Sequence, residues 1–201
     1  MAYAYRCVYA EDAERLPWAR IEPIGLADTV TGAAPRLATK VKACWTDRAL
    51  HIRFDCEDDH VVSTMGRRDD PLYEEDVVEV FLDETGEGRT YLEFEVSPAN
   101  VLFDAEVTYY AEGSIRADTD WDAVGIETSA GASGAGARFA ELRIPFENFR
   151  RAPSGGTAWR WNAYRIDEDR SGVRQYSAWS PTGKVNFHMP GKFGELLFVI
   201  E

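Results

Sequence analysis

The stretch from Asp69 to Asp83 gathers residue types that can recognise a polyol. A loop opened by Pro71 carries Tyr73 near its tip, followed by the acids Glu74, Glu75 and Asp76. A strand-like run, Val77–Leu82, comes next, interrupted by one charged residue, Glu79. An aromatic face can stack on the C–H face of a pyranose, and a nearby carboxylate can accept hydrogen bonds from vicinal hydroxyls. The same residues also read as a surface turn feeding a buried strand with one edge carboxylate.

Such residues need a rigid frame, and the rest of the chain supplies short strands. Val41, Ala43 and Trp45 alternate within Lys40–Trp45, and Leu50, Ile52, Phe54 and Cys56 alternate with His51, Arg53 and Asp55. A period of two marks half-buried strands, here joined by a turn at 46–49 that sets Cys44 opposite His51. Val77–Leu82 and Arg89–Val96 form a second hairpin-like pair, with Tyr91, Glu93 and Glu95 on one face. Further strands are expected over Val101–Tyr109, Val124–Thr128, Arg138–Ile144, Trp159–Asp167, Gln175–Ser180 and Phe193–Ile200. The small-residue run Ser129–Ala137 reads as a long, mobile hairpin loop, and Pro145–Phe149 as a short turn or helix. No strongly periodic helix of useful length is present. Regularly spaced strands with turn-rich joints imply an all-β fold, an antiparallel β-sandwich or a barrel.

The totals narrow the partners. The 201 residues suit a single domain over 1–201, with 45% hydrophobic and 28% charged residues. A net charge of −13 argues against binding nucleic acid or an anionic membrane, both of which need basic patches. The three cysteines, Cys7, Cys44 and Cys56, have no metal-like spacing and read as free buried thiols. His51, His60 and His188 form no zinc pattern. The start, Met1-Ala-Tyr-Ala-Tyr-Arg, lacks the apolar segment of a signal peptide, so a cytoplasmic location is expected, or an extracellular one if a leader has been removed.

Six segments in order carry a resemblance: Trp45 with Leu50-His-Ile-Arg-Phe and Glu57-Asp58-Asp59, Glu75-Asp76-Val77-Val78-Glu79-Val80-Phe81-Leu82-Asp83, Phe94-Glu95-Val96-Ser97-Pro98, Ile144-Pro145-Phe146, Ala178-Trp179-Ser180-Pro181-Thr182, and Pro190-Gly191-Lys192-Phe193-Gly194-Glu195-Leu196. Together, over roughly residues 38 to 200, they resemble carbohydrate-binding module family 9 and its stand-alone relatives. The resemblance implies a jelly-roll or immunoglobulin-like sandwich and a non-catalytic saccharide-binding domain associated with glycoside hydrolases and carbohydrate catabolism. It also implies structural calcium. By position, its two clamping aromatics fall on Tyr73 and Phe187, and its hydroxyl-gripping carboxylate falls on Glu79. Its arginine falls near Glu95 and its glutamine near Tyr164, neither of which matches. Arg165, one position along, is the candidate replacement for the guanidinium, and Asn162 a further hydroxyl partner.

Each assignment has a plainer counterpart. Tyr73 also reads as an exposed loop tyrosine, Phe187 as a core residue, and Glu79 as a surface edge-strand acid. Trp179 reads as packing. The runs Glu57-Asp58-Asp59 and Glu74-Glu75-Asp76 are either calcium ligands or solvated charge. Two other readings stay open: a diverged sandwich serving as a protein-interaction or accessory domain, and a hydrolase acting on O-glycosyl compounds. An open slot between Tyr73 and Phe187 with Glu79 at its floor favours a saccharide, and a filled slot favours the interaction domain. Carboxylates facing each other across a cleft favour the hydrolase. A clamp also expects Tyr73 and Phe187 to be exposed, so that replacing either by Ala barely changes stability.

Overall fold

A computed structural model describes residues 3–200, so the ends of the single unit expected over 1–201 (residues 1, 2 and 201) lie outside the described residues. The chain forms strands β1 (Ala4–Tyr9), β2 (Ile24–Gly25), β3 (Ala27–Asp28), β4 (Thr39–Trp45), β5 (Ala49–Glu57), β6 (Val77–Asp83) and β7 (Thr90–Val96). It continues with β8 (Leu102–Ala111), β9 (Ser114–Asp118), β10 (Glu127–Gly134), β11 (Ala137–Pro145), β12 (Ala158–Glu168), β13 (Arg174–Ala178) and β14 (Gly194–Val199). The helices among the described residues are single 3-10 turns at Leu72–Glu74, Phe146–Asn148 and Pro190–Lys192.

These strands form one hydrogen-bonded sheet that doubles over. The order is β10-β11-β5-β4-β1-β14-β12-β6-β7-β8-β9, with β2 on β4, and β13 between β12 and β3. One leaf runs from β10 to β4 and the other from β14 to β9. Strand β1 joins the leaves, pairing in parallel with β14 (Tyr5↔Leu196, Cys7↔Phe198) and with β4 (Val8↔Cys44). The sandwich is therefore antiparallel except at this seam, which the alternation of the other strands did not reveal.

The main core fills the space between the leaves. Val41, Phe54, Leu142 and Ile144 come from one side, and Val78, Val80, Phe94, Trp161 and Phe198 from the other, all buried in one cluster with Trp45. Cys44 sits opposite His51 as the turn at 46–49 requires, and Cys7, Cys44 and Cys56 are free and buried. Burial pushes the Cys44 thiol up to about 12. Trp179 packs into this core, edge-on to Tyr3 at 5.5 Å and 5.3 Å from the Trp161 ring. A Cβ on Gly194 would lie 2.4 Å from that indole, so the closing motif needs glycine there for close approach.

The expected mobile loop at Ser129–Ala137 is mostly strand. Ser129 pairs with Glu141, Ala130 with Ala140 and Gly131 with Phe139, and a bulge lies between Ala132 and Gly134. Composition misleads here because the ladder with β11, not the size of the side chains, holds this segment in a strand. The turn itself is short and uses Gly136 at φ 69.

Candidate functional site

The centre of the second leaf, β6 and β7, is buried on both faces, so Val77–Asp83 is buried at every position. Val78, Val80 and Leu82 point into the sandwich, and Val77, Glu79 and Phe81 point the other way. In register, Glu79 lies between Tyr164 of β12 and Glu95 of β7, and Phe81 between Asn162 and Glu93. A second apolar cluster covers this outer face: Phe81, Tyr91, Phe103 and Tyr164 from the sheet, capped by Leu72, Phe187 and Phe193 from two loops.

Local hydrogen bonds hold those loops. Asp76 accepts the Val62 N–H at 2.7 Å and the Glu168 N–H at 2.8 Å, tying the loop before β6 to the end of β12. The Asp70 carboxylate accepts the N–H groups of Gly66 and Arg67. Opposite, the Tyr164 hydroxyl donates to the Phe187 carbonyl at 2.9 Å. Between the loops lies a cavity of about 400 Å³ whose lining includes Tyr73, Glu79, Glu93, Tyr176, Phe187 and His188.

The cavity thus unites Tyr73, Glu79 and Phe187, residues 73 to 187 in the chain. Tyr73 is half exposed, its ring edge-on to Phe103 at 6.4 Å. Phe187 is not the exposed ring a free clamp expects. It is 8% exposed and stacked on Tyr164 at 4.2 Å with an interplanar angle of 12°, so it is a core residue that also walls the cavity. Tyr164 is fully buried behind it.

Two expected partners lie elsewhere. Arg165 pairs with Val78 in register and so projects to the opposite face of the leaf. There it donates to the Glu57 carbonyl at 2.7 Å and to Asp167 at 2.6 Å, and it supplies no guanidinium to the cavity. Asn162 is buried, its amide donating to the Ser180 carbonyl at 2.9 Å and its oxygen accepting the Ser180 N–H at 2.9 Å. It pins the segment after β13 rather than lining the cavity.

Glu93, Glu95, His188 and Tyr176 were not assigned to a site from the sequence. The alternation of β7 did place Glu93 and Glu95 on one face, which was the available signal. Carboxylate oxygens of Glu79, Glu93 and Glu95 lie within 4.8 Å of one another. Burial pushes Glu93 up to about 8. Burial, and then the neighbouring carboxylates, hold Glu79 and Glu95 well above the usual range. His188 sits 2.7 Å from the Tyr91 hydroxyl through Nδ1, and burial lowers it to about 4, so its ring is neutral.

The acid runs considered for calcium do assemble, since Asp58 and Asp76 meet Asp167. Their countercharge is already in the protein: Arg165 lies 3.7 Å from Asp58 and 2.6 Å from Asp167, and Arg36 lies 2.9 Å from Asp167. A second trio, Asp69, Asp104 and Asp122, is bridged by Arg68 at 2.7 Å from Asp104 and 2.6 Å from Asp122. A guanidinium already set among the carboxylates does not fit a cage of oxygen ligands around calcium.

Comparison with known proteins agrees with the architecture. A protein described as "Extracellular protein" from Arthroderma benhamiae is 27% identical over 220 residues, covering 99% of this chain and 96% of its own length. "Endo-1,4-beta-xylanase A" from Thermoanaerobacterium saccharolyticum is 26% identical over 181 residues, covering 90% of this chain but 14% of the enzyme. A carbohydrate binding module family 9 from Caldicellulosiruptor kristjanssonii, solved in complex with cellotriose, superposes with a TM-score of 0.73 at 19% identity, covering 98% of this chain and 94% of that one. The family described as "Carbohydrate family 9 binding domain-like" matches residues 15–200, and the chain belongs to that family.

Proposed function

We propose that the domain binds a terminal saccharide unit in the cavity between Tyr73 and Phe187 and does not cleave it. The observation that carries this reading is the open cavity itself, with aromatic walls and the Glu79 carboxylate among its lining residues. A slot filled by side chains would have suited a protein-interaction surface. The carboxylates of Glu79, Glu93 and Glu95 sit side by side on β6 and β7 rather than across a cleft. That arrangement suits recognition better than the flanking pair a glycosidase uses. The cellotriose complex of the family neighbour and the xylanase relative support a ligand from carbohydrate catabolism and an association with glycoside hydrolases.

Isothermal titration calorimetry with glucose and cello-oligosaccharides tests the reading. Tyr73→Ala is expected to weaken binding about tenfold, as loss of a stacked ring implies. Its folding free energy should stay within about 0.5 kcal/mol of the parent, because Tyr73 is half exposed. Unchanged binding in this variant would remove Tyr73 from the site, and no binding of any saccharide by the parent would overturn the function.

For structural calcium we propose a direct check. Because guanidinium groups occupy both aspartate trios, the melting temperature is expected to be the same with and without chelator. A fall of several degrees on chelation would restore the ion, since a ligand bound only to the folded state must raise stability.

A further inference from the structure

The described residues contain three tight trios of carboxylates, and only one lacks a cationic partner. Arg165 serves Asp58 and Asp167, and Arg68 serves Asp104 and Asp122. The trio Glu79, Glu93 and Glu95 has no such guanidinium. Glu79 Oε1 is buried and has no hydrogen-bond partner, and Glu95 is buried with only the Glu93 carboxyl and the Tyr73 backbone amide beside it. Glu79 is 2% exposed and Glu95 fully buried. Glu79 and Glu93 line the cavity, and Glu95, opposite Glu79 in register, stands behind them.

The other charged groups near the cavity do not supply the missing charge. Arg174 lines it, but its guanidinium is engaged by Glu168 at 3.1 Å and by the Glu74 carbonyl. His188 Nε2 lies 4.0 Å from Glu93, and its ring is neutral. Glu74, also at the lining, adds negative charge. Buried carboxylates without countercharge are unfavourable unless a cation arrives or they take up protons.

We propose that the ligand itself brings the cation, and that it is the protonated amine of an amino sugar seated against Glu79 and Glu93 in the field of Glu95. This rests on the saccharide reading above and specifies its ligand class. The surroundings favour an organic cation over a metal ion. Calcium requires six to eight oxygen ligands, whereas the walls here are Tyr73, Tyr176, Phe187 and His188, and the space is molecule-sized, about 400 Å³. Aromatic faces suit both the C–H face of a sugar and an ammonium group. Binding would displace the protons these buried carboxyls hold, the amine then donating to Glu79 and Glu93 while the ring rests against the aromatic walls.

Calorimetry at neutral pH and low ionic strength, using glucosamine, glucose, N-acetylglucosamine and calcium chloride alone, tests this. Glucosamine is expected to bind about tenfold or more tightly than glucose, as a charge-assisted bond in place of a neutral one implies. N-acetylation, which removes the charge, should abolish the advantage. Glu95→Gln, which removes a carboxyl able to ionise when the amine arrives and leaves the lining groups in place, should reduce the glucosamine-to-glucose preference several-fold, with a thermal melt confirming that the variant is folded. Equal binding of glucosamine and glucose overturns this inference and leaves the saccharide reading standing. Absence of binding by all three sugars overturns this inference, and absence of binding by cello-oligosaccharides as well overturns both. A calcium response that Glu95→Gln abolishes overturns it in favour of a metal site.

Discussion

Glu93→Gln is expected to stabilise the domain at pH 8 and to do little at pH 4. In the folded protein Glu93 is pushed up to about 8, mainly by burial, from an ordinary value of 4.5. The folded state therefore holds a proton that the unfolded chain releases as pH rises from about 4.5 to about 8. Stability falls across that window and is not affected by this group below it. At about 1.4 kcal/mol per pH unit, the cost of Glu93 at pH 8 is on the order of 4 kcal/mol. Glutamine is neutral throughout and removes the titration. Denaturant unfolding of parent and variant at pH 4, 6 and 8 should show curves that coincide at low pH and diverge upward. Parallel curves would mean that Glu93 is not the strained group. Burial raises Glu79 on β6 and Glu95 beside it on β7 in the same direction, so they too should make the parent lose stability as pH rises above the ordinary carboxyl value.

Phe187→Ala should have the opposite sign and a comparable size. The ring is 8% exposed, stacked on Tyr164 at 4.2 Å and edge-on to Tyr176 at 6.2 Å. Deleting it removes buried area and leaves a void against a fully buried tyrosine, a change that costs about 3–5 kcal/mol in other cores. Saccharide binding should be lost as well, because the same ring walls the cavity. Urea titration measures the first effect. A loss below about 1 kcal/mol would show that the ring is a free clamp residue after all. Phe187→Leu separates the two roles: it should recover much of the stability while leaving binding weak, since a branched alkyl group offers no flat face to a sugar.

What the sequence made legible was mostly periodicity. Lys40–Trp45 and Leu50–Cys56 became β4 and β5 within a residue at each end, in the expected register, because one face of each is buried and a slip would reverse it. Trp45, Phe54, Val78, Val80 and Phe94 fell in one core for the same reason. Signals failed where composition stood in for pattern: Ser129–Ala137 lacks large side chains yet pairs along most of its length. Strand β1 was missed although Tyr5 and Cys7 alternate, because it is short and its partners are the last strand and β4.

For the site, alternation along β6 turns Glu79 to the face opposite Val78 and Val80, where it lines the cavity. Loop residues were harder, since the face a loop side chain presents depends on what covers it. Phe187 shows this, with Tyr164 behind it. Arg165 was misplaced for a simpler reason: one residue along a strand is the other side of the sheet. The lack of a guanidinium beside Glu79, Glu93 and Glu95 could not be read from either strand alone. It depends on where Arg36, Arg68 and Arg165 go, which only the assembled fold decides.

The parallel seam also sets an order of events during synthesis. Residues 4–8 of β1 find their longest partner only in residues 195–199 of β14. At roughly 5–20 residues per second, a ribosome needs on the order of ten seconds or more to deliver that partner. Until then β1 can hold only the short stretch Val8–Tyr9 against β4, and residues 158–161 of β12 present an unsatisfied edge. Nascent chains therefore pass through an interval with exposed edges on both sides of the eventual seam, the condition under which strands recruit neighbouring chains. Closure of the sheet between the first and last strands is a late, long-range step, of the kind that slows folding.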